Sequence, residues 1–257
     1  MSTTRPALTT TLVPTIRRAP GVPPRRASRP RPADVYDRLQ RLIVRGRLAP
    51  GARVTELGVV ERLGVSRTPV REALQRLRQA GLLVAAPGSG RTQLAVAPLV
   101  REEMAELYGI AAALEGLAVR VVAARPAPER RALASELGAL NERFAAELRR
   151  AAAERDLDEL FERHNAFHEL VVARGAGPRL RDQLAAVRPL LDRYEWYYAP
   201  LTGPDHEVSV REHEAVVRAV RAGDPDAADA ALRANWLNSA ERLAGAIDSV
   251  GGRGGEW

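Results

Sequence analysis

The chain has 257 residues, 46% of them hydrophobic, which suffices for one or two domains with a real core. It carries 39 basic residues against 32 acidic ones, for a formal net charge of +7, and every basic residue is arginine. Cysteine is absent, which excludes disulfides, thiolate zinc sites and cysteine nucleophiles.

The charge is unevenly laid out. Residues 1–99 hold 18 Arg and 5 acidic residues, whereas residues 100–257 hold 21 Arg and 27 acidic residues. The first part can meet a polyanion that the second would repel. Arginine suits bidentate contacts to phosphate and guanine, although GC-rich codon usage explains the same preference without any function. No apolar run approaches the ~20 residues of a membrane helix. The pairs Arg17-Arg18 and Arg25-Arg26 lack the apolar segment of a secretory signal, so a cytoplasmic protein is expected.

Residues 1–32 are rich in Thr, Pro and Arg and read as a disordered basic tail, either an arm on DNA phosphates or a solvated leader. A first helix is expected from Ala33 to about Val44, where Val35, Tyr36, Leu39, Leu42 and Ile43 recur at helical spacing. A second runs from about Glu56 to Leu63 and turns at Gly64, and a third runs from Thr68 to about Ala80. Ser66 is the expected N-cap, its hydroxyl accepting from a first-turn N–H. Pro69 is tolerated in that first turn. Arg67 and Arg71 are spaced i and i+4 and share one face of the helix start. Such a helix–turn–helix presents two guanidinium groups to a major groove. Gly81 closes the third helix, Leu82–Ala85 and Thr92–Val96 read as two strands, and Pro87 to Gly90 turns between them. Three helices and a two-stranded wing over residues 33–98 make a winged helix–turn–helix. A lone head of this size buries little surface, so a homodimer on a palindromic operator in double-stranded DNA is expected.

Residues 99–248 read as about six amphipathic helices in an all-α antiparallel bundle. They are divided at Arg125 to Pro128, near Asp156, at Gly175 to Pro178, Pro200 to Pro204 and Gly223 to Pro225. Residues 249–257 read as a flexible tail. The fold class is therefore mainly α. His164 and His168 lie i and i+4 on one helix face, and His213 lies on another helix. Three imidazoles suit a divalent ion of the Zn or Ni kind, or they pack without metal. Asn165 is an alternative supporting partner, and His206 falls near a loop. Tyr194, Trp196, Tyr197 and Tyr198 either line an effector pocket or pack in a core or dimer interface.

The string Ser66-Arg67-Thr68-Pro69-Val70-Arg71-Glu72-Ala73-Leu74, within Leu48 to Val96, resembles the GntR family of bacterial transcription regulators. Three further strings resemble the FCD effector domain of the FadR-like branch: Ala113 to Ala118, Arg163 to Leu170, and Ser209 to Val216 followed by Gly223-Asp224. The resemblance implies that Arg67, Thr68 and Arg71 contact operator DNA, with Ser66 capping or donating to phosphate. It also implies that the wing glycine Gly90 approaches the minor groove; Arg91, its neighbour in sequence, is then placed to reach a phosphate. Leu57 stands where some members have a further DNA-contacting arginine. The implied metal ligands are His168 and His213. His164 replaces an Asp or Asn, and Asn235 replaces a last histidine, leaving it as a candidate effector contact. Ala111 replaces an arginine associated with carboxylate effectors. The helical domain is expected to dimerise and to bind a small effector, an organic acid if the metal is present.

The leading expectation is a ligand-responsive, sequence-specific regulator, by family habit a repressor. A metal-dependent bundle enzyme fused to a DNA head is a second reading. No paired catalytic carboxylate, nucleophile motif or phosphate-binding loop supports it, so no enzymatic activity is expected. A constitutive DNA binder with a vestigial effector site is a third.

Overall fold

The computed structural model describes residues 32–86, 93–150, 156–198, 200 and 206–251. The order is α1 (Pro32–Val44), β1 (Arg53–Val54), α2 (Glu56–Leu63), α3 (Arg67–Gln79), β2 (Leu83–Ala85) and β3 (Leu94–Val96), then α4 (Arg101–Ala123), α5 (Ala127–Arg149), α6 (Leu157–Gly175), α7 (Pro178–Tyr198), α8 (His206–Ala222) and α9 (Pro225–Gly251). Residues 1–31 of the expected basic tail, 252–257 of the expected flexible tail and the wing tip with Gly90 and Arg91 lie outside the described residues, whereas α1 takes in Pro32 and α9 runs to Gly251, past the expected end at 248.

Local chemistry accounts for the head. The Thr55 hydroxyl accepts from the Gly58 N–H and caps α2. The helix ends on Gly64 at φ 65°, where a side chain would be strained. α3 buries Val70, Ala73, Leu74 and Leu77, one stripe at helical spacing. They pack on Val35, Leu39 and Ile43 of α1 and on Leu82, Leu83 and Val96 of the sheet.

Two expectations change here. The sheet has three antiparallel strands in the order β1-β3-β2, with Arg53 opposite Ala95 and Leu83 opposite Val96. β1 spans 2 residues, too short to show an alternating pattern. Ser66 occupies the N-cap position of α3 with extended backbone, but its side chain makes no capping bond. Counting from that cap, the third helical residue is Pro69, whose nitrogen has no hydrogen to donate to a capping hydroxyl.

The bundle is centred on α4, which packs against α9, α6 and α7. Its core holds Tyr108, Val119, Leu137, Phe167, Tyr194, Val216, Leu232 and Trp236. Asp156 caps α6 through the N–H groups of Asp158 and Glu159. Asp224 does the same for α9 through Asp226 and Ala227. α6 crosses α4 closely at Gly175, where a Cβ would stand 2.0 Å from the Ala118 carbonyl oxygen.

α7 joins the bundle to the head. Leu190 packs against both cores. Arg193 donates to the Ala97 carbonyl, and the Tyr194 hydroxyl accepts from the Val100 N–H at 3.0 Å. The Tyr197 ring rests on Gly46, which has φ 65° and where a Cβ would come within 2.8 Å of the Tyr197 hydroxyl. Proline stands inside this helix at position 189.

Gly175→Ala should destabilise the chain by about 1–3 kcal/mol through overpacking at the α4–α6 crossing. A lower urea midpoint with an unchanged transition slope is the expected result.

Candidate DNA-reading tip and imidazole centre

Arg67 and Thr68 are exposed at the start of α3, beside exposed Ser66. The first turn of α3 contains no acidic residue. A helix start already carries partial positive charge, so arginines there are unfavourable until an anion or a base edge arrives. Arg71 is 70% exposed, and its guanidinium bonds Glu56 of α2. Nε donates to Oε1 at 3.0 Å and Nη2 to Oε2 at 3.3 Å. This hydrogen bond is the main reason that the Glu56 carboxyl sits below its ordinary pKa and the Arg71 guanidinium above its own. Glu56 is a partner that the sequence did not single out. Leu57 is exposed beside it.

His164 and His168 of α6 meet His213 of α8 within the bundle, and one ring nitrogen of each lies within 4.8 Å of the others. His168 and His213 are buried, whereas His164 is partly open. The Nδ1 of His168 is 2.8 Å from Oε2 of Glu115, which also accepts from the Trp236 indole at 3.0 Å. The Nδ1 of His213 is 3.0 Å from Oδ1 of Asn141. The other end of that amide donates to the Val210 carbonyl at 2.9 Å, which fixes Oδ1 as an acceptor and His213 Nδ1 as the donor. The Nε2 of His213 is then a lone-pair bearer, and the Nε2 atoms of both His168 and His213 are buried without a hydrogen-bond partner. Metal-binding histidines carry this pattern, one nitrogen held by an oxygen and the other free. The residues present therefore fit a divalent ion.

His164 Nδ1 lies 3.7 Å from Glu195, which also faces Arg188 at 3.6 Å. Arg188 pairs with Asp192 at 2.7 Å. Asn235 is buried and donates to Glu212 at 3.0 Å. Asn165 is buried with its carbonyl unbonded, so the amide that supports an imidazole is Asn141 and not its neighbour in sequence. His206 opens α8.

Beside His164 lies a cavity of about 70 Å³, with Phe161, Trp196 and Leu243 among its walls and Glu195, Ser209, Ser239 and Arg242 as polar groups. Arg242 is held by Glu212 and Ser209. Phe161 and Trp196 have a second neighbour. The guanidinium of Arg45, just past α1, lies 4.5 Å from the first ring and 4.4 Å from the second. Arg45 also pairs with Asp158 at 3.1 Å and Glu162 at 3.8 Å. The aromatic run in α7 thus divides, with Tyr194 in the core, Trp196 on the cavity and Tyr197 against the head.

The profile described as "Bacterial regulatory proteins, gntR family" matches residues 32–92, and the FCD domain profile matches residues 106–237, just over half of the chain. The chain belongs to the GntR family and carries an FCD domain. This GntR-family chain is 29% identical over 210 residues to the HTH-type transcriptional regulator YdhC of Bacillus subtilis, covering 81% of this chain and 88% of YdhC. It is 28% identical over 200 residues to the HTH-type transcriptional repressor RspR of Escherichia coli, covering 77% of this chain and 82% of RspR. The solved structure of E. coli McbR/YncC shares the fold, with a TM-score of 0.64 at 23% identity over 82% of this chain and 96% of that one. The GntR-family chain is a DNA-binding transcriptional regulator. Among the described residues no helix is long and apolar enough to cross a membrane.

Burial, and after it the neighbouring charges, holds His168 and His213 well below the ordinary histidine pKa. Each contributes stability that is present above the ordinary value and is lost as pH falls below it, because the unfolded chain binds the proton first. Glu115, pushed up to about 7 by burial, has the opposite sign, its contribution being lost as pH rises through that value. Imidazole NMR separates these opposing trends. In metal-free protein at about pH 5.5, a unit below the ordinary histidine pKa of ~6.5, the rings of His168 and His213 should still give neutral-form shifts. Protonation at the ordinary value would refute this burial effect.

Proposed function

We propose that the chain is a ligand-responsive repressor that binds a palindromic operator as a homodimer. In this reading Arg67, Thr68 and Arg71 meet the base edges and phosphates of a major groove. Their exposure at a helix start that lacks acidic residues supports it. RspR, a relative along most of the chain, is named a repressor, which supports repression here.

The bundle receives the signal. The observation that carries this part is the pair of buried, unpartnered Nε2 atoms on His168 and His213 beside His164. These three imidazoles would hold a Zn- or Ni-like divalent ion, with Glu115 and Asn141 orienting two of them. Three nitrogen ligands leave a position open, and a bound cation would supply positive charge there to attract a small organic acid. Ser209 and Ser239 offer hydroxyls to that acid, and Phe161 and Trp196 exclude water from its apolar part. Arg45 rests on those same two rings, so a change in the cavity wall reaches the head directly. A coupling of about 1–3 kcal/mol is the usual scale for such communication.

Two measurements test the reading. Purified wild-type protein should carry near-stoichiometric divalent metal, and His213→Ala should lose most of it. Equal metal content in the two would defeat the metal centre. In selection from a random duplex pool, the wild type should enrich a two-fold symmetric sequence. Arg67→Ala should keep only weak, salt-sensitive binding without sequence preference.

A further inference from the structure

Arg71 leans back across the turn of the helix–turn–helix and engages Glu56 through one edge of its guanidinium, Nε and Nη2. A guanidinium has five N–H donors and a second edge, formed by Nη1 with the remaining hydrogen of Nη2. Glu56 leaves that second edge free. Two parallel donors are what guanine O6 and N7 accept. The anchor is itself fixed. Glu56 is the first residue of α2, directly after the Thr55 cap, where the positive end of the helix favours a carboxylate.

An exposed ion pair adds little to folding. A carboxylate on a surface that approaches phosphates also opposes DNA binding. The helix start favours a carboxylate at this position, and the further consequence of placing Glu56 there is the ordering of Arg71. Arg71 is 70% exposed, and Glu56 is the partner that limits its freedom before DNA arrives. We propose that Glu56 is a positioning residue for base reading: by holding one edge of Arg71 it aims the other at a guanine, so that preference at that base pair depends on both residues. This rests on the reading of α3 as the DNA-reading helix.

The test is a random-duplex selection with full-length wild type, Glu56→Ala, Glu56→Gln and Arg71→Ala, scored base pair by base pair. Glu56→Ala should lose about tenfold in preference at one base pair of each half-site, the same pair that Arg71→Ala loses. Preferences elsewhere and the thermal midpoint should hold. Glu56→Gln, which keeps an accepting oxygen, should recover part of the preference. The double variant Glu56→Ala, Arg71→Ala should be no worse at that pair than Arg71→Ala alone. If Glu56→Ala keeps the guanine preference and only binds every sequence more tightly, Glu56 merely repels phosphate and the proposal is overturned. Loss of preference at every position with a lower midpoint also overturns it, since that marks a structural role. A wild-type selection without any enriched sequence removes the DNA-reading proposal itself, and the role of Glu56 with it.

Discussion

Imidazoles taken out of water need hydrogen-bond partners, and the centre of the bundle is arranged around that requirement. Glu115 comes from α4, Asn141 from α5, two histidines from α6, the third from α8 and Trp236 from α9. Five helices thus contribute to two buried hydrogen-bonded sets, His168 with Glu115 and Trp236 and His213 with Asn141, whose imidazole rings meet at 5.2 Å. An apolar core tolerates small shifts of one helix against another, whereas a buried network penalises each broken bond by the full desolvation of the group left behind. The depth and rotation of α6 and α8 are set accordingly. Phe167 stacked on His213 at 4.0 Å keeps that ring from turning. His168 and His213 stay close because Glu115 and Asn141 hold their far sides.

How far the architecture could be read from the chain depended on the range of each interaction. The helix–turn–helix was visible because its signals are local: Gly64 at the turn, Pro69 in the first turn, and an apolar stripe along α3. The six bundle helices were visible because Pro, Gly and Asp mark their ends. The 2-residue strand β1 was not, since it exists only by pairing with β3 across the head. The Ser66 cap is a matter of side-chain orientation: residue type and position favour it, but the hydroxyl makes no bond to the first turn, where Pro69 removes one of the two usual donors. In the bundle the three histidines were legible from type and spacing. Glu115 and Asn141 were not, because they lie 53 and 72 residues from the rings they hold. Nothing local to Asn141 marks it. Glu115 stood inside a string that pointed to the FCD domain, but no role attached to it before the fold closed.

A chain whose only basic side chain is arginine uses that side chain in four ways. At the tip of α3 it is exposed and partly held by Glu56. In α7 Arg188 is enclosed among Asp192 and Glu195. Arg193 is buried and donates to the Ala97 carbonyl. Arg45 lies over two aromatic rings with carboxylates at its edge. A planar guanidinium serves all four, whereas an ammonium would fit the stacked and bidentate ones poorly. The uneven charge along the sequence appears in space as exposed arginines at the tip of α3 and enclosed, carboxylate-paired Arg188 in the bundle.

Proline within α7 divides that helix by task. Before it the helix faces the bundle alone; after it Leu191 and Tyr194 stay in the bundle core while Leu190, Arg193 and Tyr197 add contacts with the head. Pro189 offers no N–H to the carbonyl of Ala185, so the hydrogen-bond ladder has a missing rung between the two halves. That missing rung stands one residue from the enclosed charge of Arg188, so the weakest point of the helix ladder lies beside a group that is costly to leave unpaired.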